Sequence, residues 1–343
     1  MFFVQQKVAI VILNWNGTKL LSEFLPSVVN TAPSYAKIYV ADNASTDDSL
    51  DYLSQNYPNV SILLNDKNYG FAEGYNKCLT NLKEEYLVLL NSDVACTDNW
   101  VEPIIDLMDS NDTIGACQPK ILDYKNKEKF EYAGAAGGFI DAIGFPFCRG
   151  RIFNSLENDE NQYNDNIPVF WATGACFFVR NKIFKELEGF DVSFFAHMEE
   201  IDLCWRIQRL GFEIYCVPNS TVYHLGGGTL NKINPKKTYL NFRNNLIMLI
   251  KNVAPKLFVF KIITKLFLDG IAGVKFLLEG SPLHTFSILK AHLVVYSKLP
   301  VVFRERRKLK KKYGYVSLPT MYPKAIVISH FVKRKNKFKD LDW

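Results

Sequence analysis

Up to Asp93 the chain repeats one unit: a short apolar run that stops at polar side chains and gives way to a helical pattern. Lys7 to Leu13 is apolar and β-branched, a buried strand, and Asn14-Trp15-Asn16-Gly17 breaks it. Leu20, Leu21, Phe24, Leu25 and Val28 then share one helical face. Lys37 to Val40 is a second strand running into Ala41-Asp42-Asn43, and Ser45 or Thr46 can cap the helix that carries Leu50 and Leu53. Val60 to Leu64 is a third, followed by Asn65 to Asn68, and Gly70, Ala72 and Gly74 open another helix. Tyr86 to Leu90 is the fourth and stops at Asn91, Ser92 and Asp93. Alternation on this scale predicts an α/β fold built on a parallel sheet with right-handed crossovers.

Polar residues with an acid at the carboxyl edge of a strand lie where open α/β sheets bind ligands. Asp93 there can hold a hard divalent cation, and the cation can hold phosphates. Asn, Ser and Asp are equally common in plain turns. Asp42 can accept a hydrogen bond from a pyrimidine N–H or a ribose hydroxyl, or serve as a helix-capping residue. Asn68 to Gly74 places small residues at a helix start, where backbone amides can approach a phosphate or ribose. The spacing is not Gly-x-Gly-x-x-Gly, which argues against a nicotinamide fold.

Further along, Leu203, Ile207 and Leu210 recur at helical spacing, and Glu199, Glu200 and Asp202 crowd the first turn of that helix. The helix dipole stabilises such acids by up to ~1 kcal/mol, which accounts for one or two of them. One carboxylate pointing into a cleft would instead be a general base. Asp202 and Arg206 are spaced to pair. His224 follows a buried segment starting at Val217; it is either a hydrogen-bonded structural residue or a ligand to an ion such as Mn2+. Gly226 to Gly228 would let the backbone bend close to a diphosphate. Arg243 is placed to contact phosphate or acceptor, or to form a surface salt bridge. Ile121 to Ile167 is least informative; its polar part, Asn154 to Asn166, reads as a mobile loop over the site or a disordered insertion.

With 343 residues, 48% of them hydrophobic, the chain can bury one large domain or two ordinary ones. Its seven cysteines are scattered and form no Cys-x-x-Cys pair, as expected of reduced thiols in a cytoplasmic protein. No signal peptide is evident, and no window reaches the roughly 18 uncharged apolar residues of a membrane span. The net charge of +6 hides an asymmetry: residues 251–343 carry 20 Lys/Arg against 5 Asp/Glu, and the first 250 carry 21 against 30. In the basic part, the pattern from Pro255 to about Lys275 is apolar with Lys261, Lys265 and Asp269 on one narrow stripe, and Leu283 to Phe303 repeats the mixture of apolar residues with sparse lysines before the run Arg304 to Lys312. Such amphipathic helices pack on the catalytic body or lie in a membrane interface, and the adjoining basic run favours an anionic membrane surface. No recognition motif for nucleic acid accompanies it.

Seven strings, VAIVILNWNG, VADNASTDDS, NDKNYGFAEGYNKC, LLNSDV, WATGACFFVR, FFAHMEEIDLCWRIQRLG and VYHLGGGT, stand in that order. Together they resemble the family 2 glycosyltransferases of GT-A fold, particularly the rhamnosyltransferase-like branch, from about Val8 to Asn245. The resemblance implies a Rossmann-like, mostly parallel sheet flanked by helices. It implies Asn14 and Trp15 at the nucleotide edge, Asp42 on the nucleobase, and Thr173 and Gly174 beside donor sugar and acceptor. Asn91-Ser92-Asp93 stands at the family's Asp-x-Asp motif. With Asn first, Asp93 is the one charged ligand there for Mg2+ or Mn2+, and diphosphate and water supply most of the coordination. The family's Glu-Asp pair is here Glu-Glu; the resemblance favours Glu200 as base and leaves Glu199 open.

The expectation is a catalytic domain over 1–250 and a basic amphipathic helical tail over 251–343. The enzyme would be an inverting glycosyltransferase, moving a sugar such as rhamnose from a nucleoside-diphosphate donor to a hydroxyl of a cell-surface glycan or polyprenyl-linked acceptor. It would sit in the cytoplasm, peripheral on the inner face of the membrane. The rivals are a non-catalytic nucleotide-binding scaffold of a glycan assembly complex, and a nucleotidyltransferase. The latter would want a basic Gly-rich loop that Asn14 to Gly17 does not supply.

Overall fold

The structure, a computed structural model, describes residues 6–226 and 234–343. The chain runs β1 (Val8–Asn14), α1 (Thr18–Thr31), β2 (Ala36–Asp42), α2 (Ser49–Asn56), β3 (Ser61–Leu64), α3 (Gly70–Leu79), β4 (Tyr86–Asn91), β5 (Val94–Cys96), α4 (Glu102–Ser110) and β6 (Ile114–Asp123). Short strands β7 (Gly138–Asp141), β8 (Pro146–Cys148), β9 (Arg151–Ile152), β10 (Ser155–Leu156) and β11 (Ile167–Pro168) lead to β12 (Cys176–Arg180), α5 (Asn181–Glu186), α6 (Glu199–Arg209) and β13 (Glu213–His224). Helices α7 (Pro235–Asn252), α8 (Phe258–Leu278) and α9 (Pro282–Tyr313) precede β14 (Met321–Tyr322).

The four strands legible in the sequence form the parallel half of the main sheet, in the order β3-β2-β1-β4. β12 then joins β4 antiparallel, and β6, β13 and β11 complete the path. Side chains alternate across the pleat. Val8, Ile10 and Ile12 pack with Leu21, Leu25 and Val28 of α1 on one face, and Ala9 and Val11 with Ala72 and Tyr75 of α3 on the other. Burial on both faces fixes the register, because each large apolar side chain contributes roughly 1.5–3 kcal/mol and a slip by one residue would exchange the faces. That register sets Asn14 opposite Asp42 and Leu13 opposite Asn91. The polar strand ends therefore share one edge.

Several local expectations are revised. α2 is not capped by Ser45 or Thr46; Asp47 accepts the Ser49 N–H at its start, and Ser45 turns back onto Asp42. The polar stretch Asn154 to Asn166 is pinned to the body. Lys120 Nζ donates to Asp159 at 2.7 Å and to Asn164 at 2.9 Å, and Arg149 pairs with Asp165. Lys120 and Arg149 are buried, and a buried cation needs such partners. The seven cysteines are buried free thiols.

The basic segment is not one uniform tail. After α9 the chain returns to the body, where β14 pairs in parallel with β7 and the Ile326 N–H donates to buried Asp141. Phe338 and Trp343 join Phe139 and Phe147 in an aromatic cluster. α8 and α9 carry a long exposed apolar face that includes Phe260, Phe267, Leu278, Leu283 and Leu293. α9 is long and apolar enough, by length and composition, to cross a membrane. Lys290 and Lys298 interrupt the run, which is why the sequence offers no uncharged window of that length.

Candidate active site

The nucleotide side is built from the ends of β1 and β2. Asn14 Nδ2 donates to Asp42 Oδ1 at 3.0 Å, and Asp42 also accepts the Ser45 hydroxyl and the Ser45 N–H. Asp42 is thus buried and acts as a turn residue locally, with carboxylate lone pairs remaining beyond these three bonds. Asn14 is also buried, and its Oδ1 has no hydrogen-bond partner among the described residues. Trp15, at 48% exposure, offers an open aromatic face beside them.

The expected amide cradle at the start of α3 is already filled. The Gly70 N–H donates to Asn68 Oδ1 at 2.8 Å, and the Phe71 and Ala72 N–H groups donate to the Phe195 carbonyl. Asn68 and Gly70 therefore shape the loop rather than present free donors to phosphate. Gly70 has φ +73°, and a Cβ there would come within 2.6 Å of the Phe195 ring. Asn43, unnoticed in the sequence, ties the loop to β2 by donating to the Gly70 carbonyl at 2.8 Å.

Asn91, Ser92 and Asp93 form the tight turn between β4 and β5. β5 pairs with β13, so His224 lies against this turn. His224 Nε2 is 3.1 Å from Asp93 Oδ1 and 3.4 Å from Asn91 Nδ2. A second carboxylate, Glu131, comes from the uninformative middle of the chain: its Oε1 lies 3.5 Å from His224 Nδ1, an ion-pair distance rather than a formed hydrogen bond. Burial alone would push His224 down, but Asp93 and Glu131 outweigh it and hold it up at about 10. Gly226 packs on Glu131; Gly227 and Gly228 lie outside the described residues.

Held protonated between two acids, His224 would have to give up a proton as an ion binds; the neutral imidazole and the Asp93 carboxylate are then suitable donors for Mn2+, and the carboxylate for Mg2+. Among the described residues no group of three or more His, Cys, Asp or Glu is arranged to hold an ion. Asp93 and His224 would be the protein's share of such a site, with oxygens of a bound diphosphate supplying the rest.

Opposite this turn lie Thr173 and Gly174. The Ala175 carbonyl accepts the Asn91 N–H at 2.9 Å, which fixes the segment beside β4. Thr173 is buried; its N–H donates to Gln118 and its hydroxyl to the Ala133 carbonyl, which ties its side chain into the fold. Gly174 stays partly open between Phe71 and Glu200, whose Cβ would be 4.0 Å from a Cβ at Gly174.

Glu199 and Glu200 begin α6, where the dipole favours them. Each has a buried Oε2 with no hydrogen-bond partner among the described residues. Burial raises both carboxyls: Glu200 to about 7, and Glu199 well above its ordinary range with the charge of Glu200 adding to the effect. Glu199 is buried, whereas Glu200 is partly exposed and adjoins Gly174. Asp202 pairs with Arg206 at 2.9 Å, as its spacing predicts, and also with Lys251. Among the described residues Arg243 forms no ion pair with an acid; it donates to the Ser193 and Phe194 carbonyls.

A family model described as Glycosyl transferase family 2 matches residues 9–188. The N-acetylglucosaminyl-diphospho-decaprenol L-rhamnosyltransferase of Mycobacterium tuberculosis (strain CDC 1551 / Oshkosh) is 26% identical over 218 residues, 60% of this chain and 71% of that protein. Rhamnosyltransferase WbbL of Escherichia coli (strain K12) is 25% identical over 226 residues, 63% of this chain and 83% of its own. Among solved structures, the mannosyltransferase PcManGT from Pyrobaculum calidifontis, in complex with GDP-Man and Mn2+, superposes with TM-score 0.53 at 14% identity, over 89% of this chain and 85% of that one. GalNAc-T7 with UDP, GalNAc and Mn2+ gives TM-score 0.56 at 18% identity over 72% of this chain, which spans about half (48%) of that longer protein. These two bear out the GT-A fold expected from the sequence. Matched by the family model over more than half its length, the chain belongs to glycosyl transferase family 2.

Proposed function

We propose that this protein is an inverting, metal-dependent glycosyltransferase that moves a sugar, with L-rhamnose the leading candidate, from a nucleoside-diphosphate donor to a hydroxyl of a polyprenyl-linked or cell-surface glycan. The observation that carries this reading is the pair of buried, unpartnered carboxylate oxygens on Glu199 and Glu200, one segment away from the Asp93–His224 strand ends. The names of the mycobacterial and Escherichia coli relatives support rhamnose as the sugar, and the mycobacterial name supports a lipid-diphosphate acceptor.

In this reading Trp15, Asn14 and Asp42 receive the nucleoside, and Asp93 with His224 holds the divalent ion. That ion, when bound, offsets charge on the departing diphosphate. Glu200 takes the proton from the acceptor hydroxyl as its oxygen bonds to the anomeric carbon and the bond to diphosphate breaks on the opposite face. A raised carboxyl near 7 suits a base that must accept a proton at neutral pH. Glu199, buried beside it with its carboxyl raised by burial and by the charge of Glu200, disfavours a second charge in the site.

The apolar face of α8 and α9 is the surface for the membrane that carries the acceptor, and Arg304 to Lys312 adds attraction to an anionic leaflet. The test is a comparison of Glu199→Gln with Glu200→Gln. Loss of a general base costs about 10²–10⁴-fold in rate. Only Glu200→Gln should lose that much, and wild-type turnover in Glu200→Gln would remove the assignment.

A further inference from the structure

The segment that delivers Glu199 and Glu200 has an unusual backbone. Phe195, His197 and Met198 all adopt positive φ, at 65°, 70° and 73°. Non-glycine residues rarely sit there, and three within four positions persist only where surrounding contacts hold them. α6 lacks a side-chain cap, with Met198 itself at the N-cap in left-handed geometry.

The holding contacts come from α7. Asn244, fully buried, directs Nδ2 at three carbonyls of the segment: Phe194 at 3.0 Å, Ala196 at 2.9 Å and His197 at 2.7 Å. Arg243 Nη2 donates to Ser193 at 2.8 Å and Phe194 at 2.9 Å, while its Nε donates to Asn244 Oδ1 at 2.8 Å and so orients the amide. In return the Phe195 carbonyl accepts the first N–H groups of α3, and its ring covers Gly70. One strained segment therefore abuts the loop at the start of α3 on one side and the Glu199–Glu200 pair on the other.

We propose that Asn244, oriented by Arg243, is the positioning residue that sets the Glu199–Glu200 pair relative to the donor site. This rests on the reading of Glu200 as the base. Asn244 suits the task because its planar amide offers two N–H donors to converging carbonyls. Aspartate, of the same shape, has none. In this role both act through the carbonyls of residues 193–197.

The test is steady-state kinetics of Asn244→Asp, Asn244→Ala and the milder Arg243→Lys, with donor binding measured separately by calorimetry. A displaced base costs on the order of 10²-fold. The expected result is a fall of that size in kcat for both Asn244 variants, with donor Kd and donor KM within about twofold of wild type, and a smaller fall for Arg243→Lys. Wild-type kcat in Asn244→Ala would overturn the proposal. So would a loss of kcat matched by an equal loss of donor affinity, which is what general disorder of the fold would produce. If the Asn244 variants do not fold, Arg243→Lys decides: unchanged kcat overturns the proposal, and a fall in kcat at unchanged donor Kd supports it. A wild-type protein that binds donor but never transfers sugar would instead overturn the enzymatic reading beneath it.

Discussion

His224 Nε2 lies 3.1 Å from Asp93 Oδ1, joining two strand ends 131 residues apart in the chain. Glu131 stands on the far side of the same ring. A histidine held between a ligand position and an outer carboxylate is a common way to orient an imidazole toward a metal, and removing the outer partner typically costs 10–100-fold in metal affinity. Glu131→Gln should weaken Mn2+ binding to the enzyme–nucleoside diphosphate complex by about that factor. Titration of free Mn2+ by electron paramagnetic resonance measures it. Unchanged affinity would leave Glu131 with a purely structural role.

The raised carboxyl of Glu200 predicts both a pH–rate profile and a stability profile. The base works only when ionised, so kcat should rise with pH through about 7. Because the folded-state value lies above the ordinary 4.5, this group's stabilising contribution is present below that value and is lost as pH rises toward 7. Glu200→Gln lacks that loss. At about pH 8 the inactive variant should melt above wild type, with the gain fading toward about pH 5. A variant that melts lower at both pH values would contradict the assigned environment.

Gly70 should tolerate no side chain. Its φ of +73° and the Phe195 ring, within 2.6 Å of where a Cβ would sit, act together. Gly70→Ala is expected to lose about 1–3 kcal/mol in urea unfolding, from left-handed strain plus overpacking. Gly211 makes a control, since its φ of +94° is equally strained but a Cβ there meets nothing within 4 Å. Equal losses at the two sites would show that Phe195 contributes nothing to the requirement.

Membrane attachment is tested with vesicles. Replacing Phe260, Phe267 and Leu278 by serine should abolish co-sedimentation with vesicles containing anionic lipid, because each of these side chains is exposed in the structure and carries the apolar part of the contact. Neutralising Lys310, Lys311 and Lys312 should weaken binding by up to ~1 kcal/mol per charge and reduce its salt dependence. Binding unaffected by either set would place the contact elsewhere.

The first four strands and their polar ends were legible because each is a local run with a sharp stop, and the two-sided burial of Val8 to Ile12 matches the unbroken apolar run. Asp202 with Arg206 was legible for the same reason, a spacing within one helix. Glu131, Asn43 and Asn244 were not. Each works through partners far away in the chain, and none belongs to a periodic pattern. Thr173 differs in the opposite sense: its motif was legible, but the bond of its hydroxyl to the Ala133 carbonyl, 40 residues away in the chain, was not. The return of the chain after α9 was hidden because a two-residue strand, β14, has no sequence signature of its own.

The most direct test of transfer is release of nucleoside diphosphate from a panel of nucleotide sugars, with Mn2+ and a membrane lipid extract as acceptor. The expected result is release from one donor, a nucleoside-diphosphate rhamnose being the first to try, that requires both metal and lipid and disappears in Asp93→Ala and Glu200→Gln. Release that persists undiminished in both variants, or donor binding with no release under any acceptor, would contradict it.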